Sequence, residues 1–326
     1  MASGIQQPAQ PTNPVAPQAI EVSAVAPIQI VSLPEVISLP RGKELSETAA
    51  LALAKSRPMR WIVVAGPVGS GKTTLLTSLY ELFQWNKVPN YIFARSETLP
   101  AFEQRCYLSR TASESTEADT ARTIYDPIPT YLHLGVSSTA LPRRFAEFLF
   151  TDVSGEMFEQ ARDSTAACKQ LTFLRQARQF LILLDSKRSL LLDKRWAVVH
   201  EARALLQSCL DSKMIPDDCA VRVLWSRFDY FVQAGNSAEH RAFRDQVNAE
   251  FRGTFGNRVI DLQFAEIAAR PTKAPELGFG YGVVTLFEEW IKDYPRTREM
   301  SLLPVFAGTR ESEVFGRRHF SRDNQV

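Results

Sequence analysis

Glycine at positions 66, 69 and 71, followed at once by Lys72 and Thr73, gives the run Gly66-Pro67-Val68-Gly69-Ser70-Gly71-Lys72-Thr73-Thr74, a complete phosphate loop of the G-x-x-x-x-G-K-T type. Backbone freed of β-carbons can turn its N–H groups inward. Gly66, Val68, Gly69, Ser70, Gly71, Lys72, Thr73 and Thr74 are therefore the expected cradle for a polyphosphate, with Lys72 reaching the outer phosphates and the Thr73 hydroxyl aimed at Mg²⁺. The loop follows the apolar run Trp61-Ile62-Val63-Val64-Ala65, and Leu75, Leu76, Leu79, Leu82 and Phe83 recur behind it at helical spacing. This strand, loop and helix context puts a helix N-terminus against the anion. The ligand it implies is a nucleoside triphosphate.

Three further segments carry matching chemistry. The run Phe148-Leu149-Phe150-Thr151 ends in Asp152-Val153-Ser154-Gly155-Glu156. An aspartate leaving a buried strand beside a phosphate loop can hold Mg²⁺ through a water, and Gly155 can offer its N–H to the terminal phosphate. After the apolar run 220–225, Ser226-Arg227-Phe228-Asp229 resembles a loosened form of the N/T-K-x-D element with which GTPases read guanine. The Asp229 carboxylate can accept from both the N1–H and the exocyclic amine of guanine, a donor pair that adenine lacks. Arg227 can lie flat over a base where the pattern has Lys, and Ser226 stands in place of the usual Asn. Past 259–264, Glu266-Ile267-Ala268-Ala269-Arg270 is similar in shape to the E-T-S-A-K element, with Ala268 and Ala269 small enough for backbone N–H to approach a base carbonyl.

Taken in order, these four elements span residues 58–296 and resemble the translation-factor-related (TRAFAC) class of P-loop GTPases, most of all the bacterial double-GTPase family. The resemblance implies GTP and GDP as ligands with Mg²⁺, hydrolysis of GTP, and a nucleotide-dependent switch working with a protein effector or regulator, a second GTPase among the candidates. About forty residues separate the phosphate-loop helix from the run 130–137, and a polar connection of this length is usually functional. Within it Thr111-Ala112-Ser113-Glu114-Ser115-Thr116-Glu117 continuing to Thr123 is the candidate first switch, Thr123 (with Thr130 behind it) the candidate Mg²⁺-ligating threonine, and Arg122 a candidate for neutralising transition-state charge. Glu156 stands where many relatives carry a water-orienting Gln. A carboxylate there accepts a proton or hydrogen bond from the attacking water but opposes the triphosphate's charge, so slow intrinsic turnover is expected. Lys72, Glu156, Thr123 and Arg122 are thus the catalytic candidates; Thr73, Asp152 and Thr123 are the metal candidates.

The elements that must position these groups follow from pattern. Runs at 60–65, 130–137, 145–151, 179–185, 220–225 and 259–264 read as strands, with 99–109 and the amphipathic stretch 283–291 as helices. Strands alternating with helices predict an α/β fold, a P-loop NTPase G-domain with a mostly parallel sheet, one antiparallel edge hairpin at 130–137 and 145–151, and helices on both faces. Ser46 before Ala49, Ala50, Leu51, Ala52, Leu53 and Ala54 predicts a short capped helix leading into the first strand. The domain is expected over 46–300, preceded by a flexible Pro/Ala/Gln-rich arm at 1–45 and followed by a tail at 301–326. In the arm, Val31-Ser32-Leu33-Pro34 is echoed by Ile37-Ser38-Leu39-Pro40, tetrads that suit docking on a partner or lying against their own domain.

Charge and cysteine usage set bounds. With 38 basic against 36 acidic residues in 326 there is no broad field to attract nucleic acid or an anionic membrane. The four cysteines form no C-x-x-C pair, no uninterrupted apolar run is long enough to span a bilayer, and no basic segment with an apolar core opens the chain, which together predict a cytoplasmic protein with reduced thiols. Two rival readings stay open. Phe180-Leu181-Ile182-Leu183-Leu184-Asp185 would serve an ATPase or kinase as its metal-binding strand, although Ser186 follows where many ATPases place a glutamate; a nucleotide-loaded scaffold without turnover would equally use the phosphate loop.

Overall fold

Strands rich in β-branched, leucine and aromatic side chains with no polar face must be covered on both sides, and that requirement builds the molecule. The structure, a computed structural model, describes residues 42–107, 128–140 and 145–292. Seven strands form one sheet: β1 (Arg60–Ala65), β2 (Tyr91–Arg95), β3 (Thr130–Ser138), β4 (Phe145–Asp152), β5 (Ala177–Asp185), β6 (Ala220–Ser226) and β7 (Leu262–Glu266). Their order is β2-β3-β4-β1-β5-β6-β7. β1 runs parallel to both of its neighbours, β4 and β5, and the parallel pairing continues through β6 to β7. β3 is antiparallel to β2 and to β4.

Alternate side chains of β1 enter different cores. Trp61, Val63 and Ala65 face one cluster, where α1 (Glu47–Ser56), α4 (Gly155–Asp163), α5 (Thr165–Gln170), α7 (Arg195–Asp211), α8 (Asp229–Gln233) and α9 (Ala238–Phe255) contribute residues such as Phe158, Leu206, Phe231 and Phe251. Ile62 and Val64 face the other, built with α2 (Lys72–Gln84), α3 (Leu99–Tyr107) and α10 (Val283–Lys292). The short α6 (Ser186–Ser189) follows β5 directly. On the second face the ring of Trp290 lies 5.7 Å from that of Phe150 and 6.4 Å from that of Phe148, so α10 closes the sheet by filling the hollow over β4.

The expected α/β architecture is present: a mostly parallel sheet with an antiparallel edge and helices on both faces. The Ser46 cap is present as well, its Oγ accepting from the Ala49 N–H at 3.3 Å. Three details differ. β2 went unforeseen because its five residues are only partly buried and sit at the sheet edge, which leaves little apolar periodicity to detect. The antiparallel part is consequently three strands wide. The last strand begins at Leu262 and not at Val259, since Val259 and Ile260 precede it in a turn where Ile260 is 70% exposed. The expected tail 301–326 and residues 1–41 of the expected arm lie outside the described residues. Among the described residues no helix is long and apolar enough to cross a membrane, and all four cysteines are buried and free.

Truncating Trp290 to alanine would empty a fully buried site. The expected cost is about 3–5 kcal/mol of folding stability, read from the urea midpoint at unchanged slope.

Candidate functional site

Because β4, β1, β5, β6 and β7 are parallel, their C-terminal ends open on one edge of the sheet, and β3 begins at that same edge, with Thr130 opposite Asp152. A crevice at the carboxyl ends of such strands is where open α/β sheets take ligands. Here it collects the phosphate loop after β1, Asp152 to Glu156 after β4, Asp185 at the end of β5, Arg227 and Asp229 after β6, and Ile267 to Ala269 after β7.

The phosphate loop has the backbone its glycines were expected to permit. Gly69 and Gly71 lie at φ 73° and 97°, and a β-carbon at either would meet no protein atom within 4 Å, so the space beside them is open. Gly71 is also the N-cap residue of α2, and no side chain caps that helix, an N-terminus whose dipole favours an anion. Lys72 Nζ donates to the carbonyls of Gly66 and Pro67, both at 3.0 Å. The ammonium is thus held inside the loop by the loop's own oxygens. Burial pulls its pKa down to about 8, against the opposing pull of Asp152, Glu156 and Glu159. Ser70 N–H and Oγ both donate to Pro67 O, at 3.3 and 2.9 Å, which tightens the turn from within.

Gly155 packs directly onto this loop. A β-carbon there would fall 2.3 Å from Val68 N and 2.6 Å from the Pro67 carbonyl carbon. Such contact joins the loop after β4 to the phosphate loop, and it requires glycine for space alone. Glu156 follows in the first turn of α4, near enough to act electrostatically on Lys72. Asp152, 5% exposed, ends β4. Together with the Thr73 hydroxyl at the start of α2 it supplies hard oxygen donors of the kind Mg²⁺ takes alongside phosphate oxygens. Among the described residues no group of three or more His, Cys, Asp or Glu side chains is arranged for a metal.

Arg105, which local sequence gave no reason to single out, reaches Asp152 from α3. Its Nε and Nη2 both donate to Asp152 Oδ2, the first at 2.8 Å, and its Nη1 meets Glu44 at 2.6 Å. The pair is separated by 47 residues in the chain, beyond any local pattern.

On the other side of the loop, Arg227 sits at φ 54°, a left-handed conformation that costs a non-glycine residue about 1 kcal/mol or more. The strain is matched by two contacts: Nη2 donates to Gly69 O at 2.6 Å and forms an ion pair with Asp185. Asp185 also caps α6, accepting from Lys187 N–H at 3.0 Å. Its carboxylate is therefore occupied by Arg227 and by that helix cap, while burial raises its pKa against the pull of Arg227. Ser226 Oγ donates to Leu184 O at 3.3 Å, tying the ends of β5 and β6.

Asp229, 1% exposed, accepts at Oδ2 from the N–H groups of Thr272 and Lys273, at 3.0 and 3.1 Å. It thereby fixes the loop after β7, a role not anticipated. The two alanines there are placed unequally. Ala268 N–H donates to Tyr281 O at 3.0 Å, so of the pair only Ala269 has an N–H outside that bridge; the Ala269 carbonyl accepts from Gly280 at 3.1 Å. Phe228 stacks on Tyr281 with ring centroids 6.1 Å apart, a platform beneath the same loop. Thr130 Oγ1 donates to Asp152 O at 3.0 Å and Thr130 belongs to β3, so its hydroxyl is committed to strand pairing. Thr123 and Arg122 lie outside the described residues.

The Double-GTPase 2 family model matches residues 60–291. The chain belongs to this family. Its boundaries coincide with the sheet and its crevice, from the first residue of β1 to the last turn of α10. No curated protein matches the chain in sequence. Among solved structures it is similar to the bacterial selenocysteine-specific elongation factor EF-Sec, at 12% identity and a TM-score of 0.35 over 72% of this chain. The chain spans 28% of that factor's length.

Gly155→Ala is expected to push the loop after β4 away from Val68. The measurable outcome is at least a tenfold loss of nucleoside triphosphate affinity by equilibrium binding, with the thermal midpoint within a few degrees of the parent.

Proposed function

We propose that this double-GTPase family protein binds GTP and GDP with Mg²⁺ and hydrolyses GTP slowly, acting as a switch toward a protein effector or regulator. The observation that carries the reading is the double contact of Arg227, which joins the phosphate loop at Gly69 to the ends of β5 and β6 and so holds a phosphate cradle and Asp229 in one crevice. A carboxylate has about four acceptor positions, and the two amides on Asp229 Oδ2 leave capacity for the N1–H and amine of guanine. Ala269 N–H is the donor best suited to the guanine carbonyl, and Arg227 the side chain suited to lie along the base. Thr73 and Asp152 would hold Mg²⁺, which when bound would neutralise charge on the β- and γ-phosphates. Lys72 leaves the Gly66 and Pro67 carbonyls for the phosphates, an exchange of neutral acceptors for charged ones.

Glu156 supports slow turnover. As the residue after Gly155 it is the first candidate to orient water, and its negative charge has the same sign as the nucleotide's and repels it. The buried free thiols support a reducing, cytoplasmic setting, and a second GTPase is the partner class the family name suggests. The ATPase reading loses ground because Asp185 is engaged by Arg227 and by the cap of α6.

Competition among GTP, ATP and xanthosine triphosphate tests the base assignment. The parent should prefer GTP, and Asp229→Asn should weaken GTP at least tenfold while favouring xanthine, because an amide oxygen turned to Thr272 and Lys273 leaves its NH₂ to donate to the extra carbonyl. An unchanged preference would leave Asp229 as a clip for the β7 loop only. Glu156→Gln should bind GTP more tightly yet hydrolyse it roughly tenfold or more slowly in single-turnover assays; equal rates would remove this side chain from the hydrolytic step.

A further inference from the structure

The Asp152 carboxylate, 4% exposed at its side chain, cannot stand in this crevice without a cation, and Arg105 provides one. Both contacting nitrogens fall on the same oxygen, Oδ2, and the remaining arm of the guanidinium reaches Glu44. Arg105 therefore lies between two carboxylates, one at the nucleotide crevice and one outside it. Glu44 is 27% exposed at its side chain and immediately precedes Leu45, whose N–H and carbonyl pair with Tyr131 of β3 at 2.9 and 3.0 Å. A divalent cation brought to Asp152 would compete with the guanidinium for the same carboxylate, and the guanidinium is the member that already holds a second carboxylate, Glu44.

We propose that Arg105 is a latch on Asp152 that competes with Mg²⁺ and is released toward Glu44 when Mg²⁺ and GTP load. The proposal rests on the GTP- and Mg²⁺-binding reading given above and adds the regulation of that site. Releasing Arg105 removes the ion pair between α3 and β4 while keeping the one to Glu44, so metal loading at Asp152 is felt by the segment that leads into α1 through one side chain.

Competition and simple support of Asp152 predict opposite signs. If Arg105 merely orients Asp152 for the metal, removing it weakens Mg²⁺. If it competes, removing it strengthens Mg²⁺, and removing Glu44, the alternative partner, weakens it.

The test titrates Mg²⁺ into the full-length protein with a fluorescent GTP analogue and reads the midpoint of the metal-dependent gain in affinity, for the parent, Arg105→Gln and Glu44→Gln. The latch predicts a midpoint at least fivefold lower for Arg105→Gln and at least twofold higher for Glu44→Gln, with affinity in EDTA changed less than twofold in both. A midpoint for Arg105→Gln that is unchanged or raised overturns it. Should Arg105→Gln fail to fold, Glu44→Gln at its partly exposed position decides alone: a raised midpoint supports the latch, an unchanged or lowered one refutes it. A parent that binds no GTP at any Mg²⁺ concentration overturns the nucleotide reading and the latch with it, whereas a parent that binds GTP while Arg105→Gln shows no shift overturns the latch alone.

Discussion

Parallel pairing of β1 with β4 on one side and β5 on the other is the constraint from which the remainder of the molecule follows. All six residues of β1 are buried, so the strand cannot slip without carrying Trp61, Val63 and Ala65 into the wrong core. With its register held, the chain must turn at Gly66, between the ends of two neighbours that both finish in aspartate. Asp152 and Asp185 flank the phosphate loop for that reason, and neither needs a flexible loop to reach it.

Charge at this edge is balanced inside the protein. Lys72 rests on loop carbonyls, Arg105 on Asp152 and Arg227 on Asp185. Buried ion pairs contribute little net stability because desolvation offsets attraction, but breaking one leaves an uncompensated charge. Their value here is positional: each arginine joins segments that the backbone alone would leave independent. Arg227 does so at the expense of a left-handed backbone, strain of the sort found where geometry serves a site.

Not every buried charge belongs to the crevice. His133 is fully buried and accepts the Glu97 N–H at Nδ1, so its proton resides on Nε2 and is donated to Glu147 at 2.7 Å. Burial works against the Glu147 carboxylate, yet His133 and Arg95 hold its pKa below the ordinary value. This network fixes β3 against β4 and the entry to α3; its inaccessibility argues for architecture over chemistry. Arg270, lying over Phe279 and paired with Glu81, likewise fastens the β7 loop to α2.

Local chemistry was legible where residues adjacent in the chain act together. The glycine spacing around Lys72, the apolar runs of β1, β5 and β6 and the apolar periodicity of the helix at 283–292 are each patterns written within a short stretch of consecutive residues, and the amino-acid order alone made them legible. The half-buried edge strand β2 escaped because short partly exposed strands carry little periodicity. Tertiary structure alone decided which carboxylates and cations meet: that Gly155 abuts Val68, that Asp229 clips Thr272 and Lys273, that Ala268 spends its amide on Tyr281, and that Arg105 sits on Asp152. These contacts join residues more than a dozen positions apart, and a side chain's type says what it can bind but not which distant partner the packing of the sheet will bring to it.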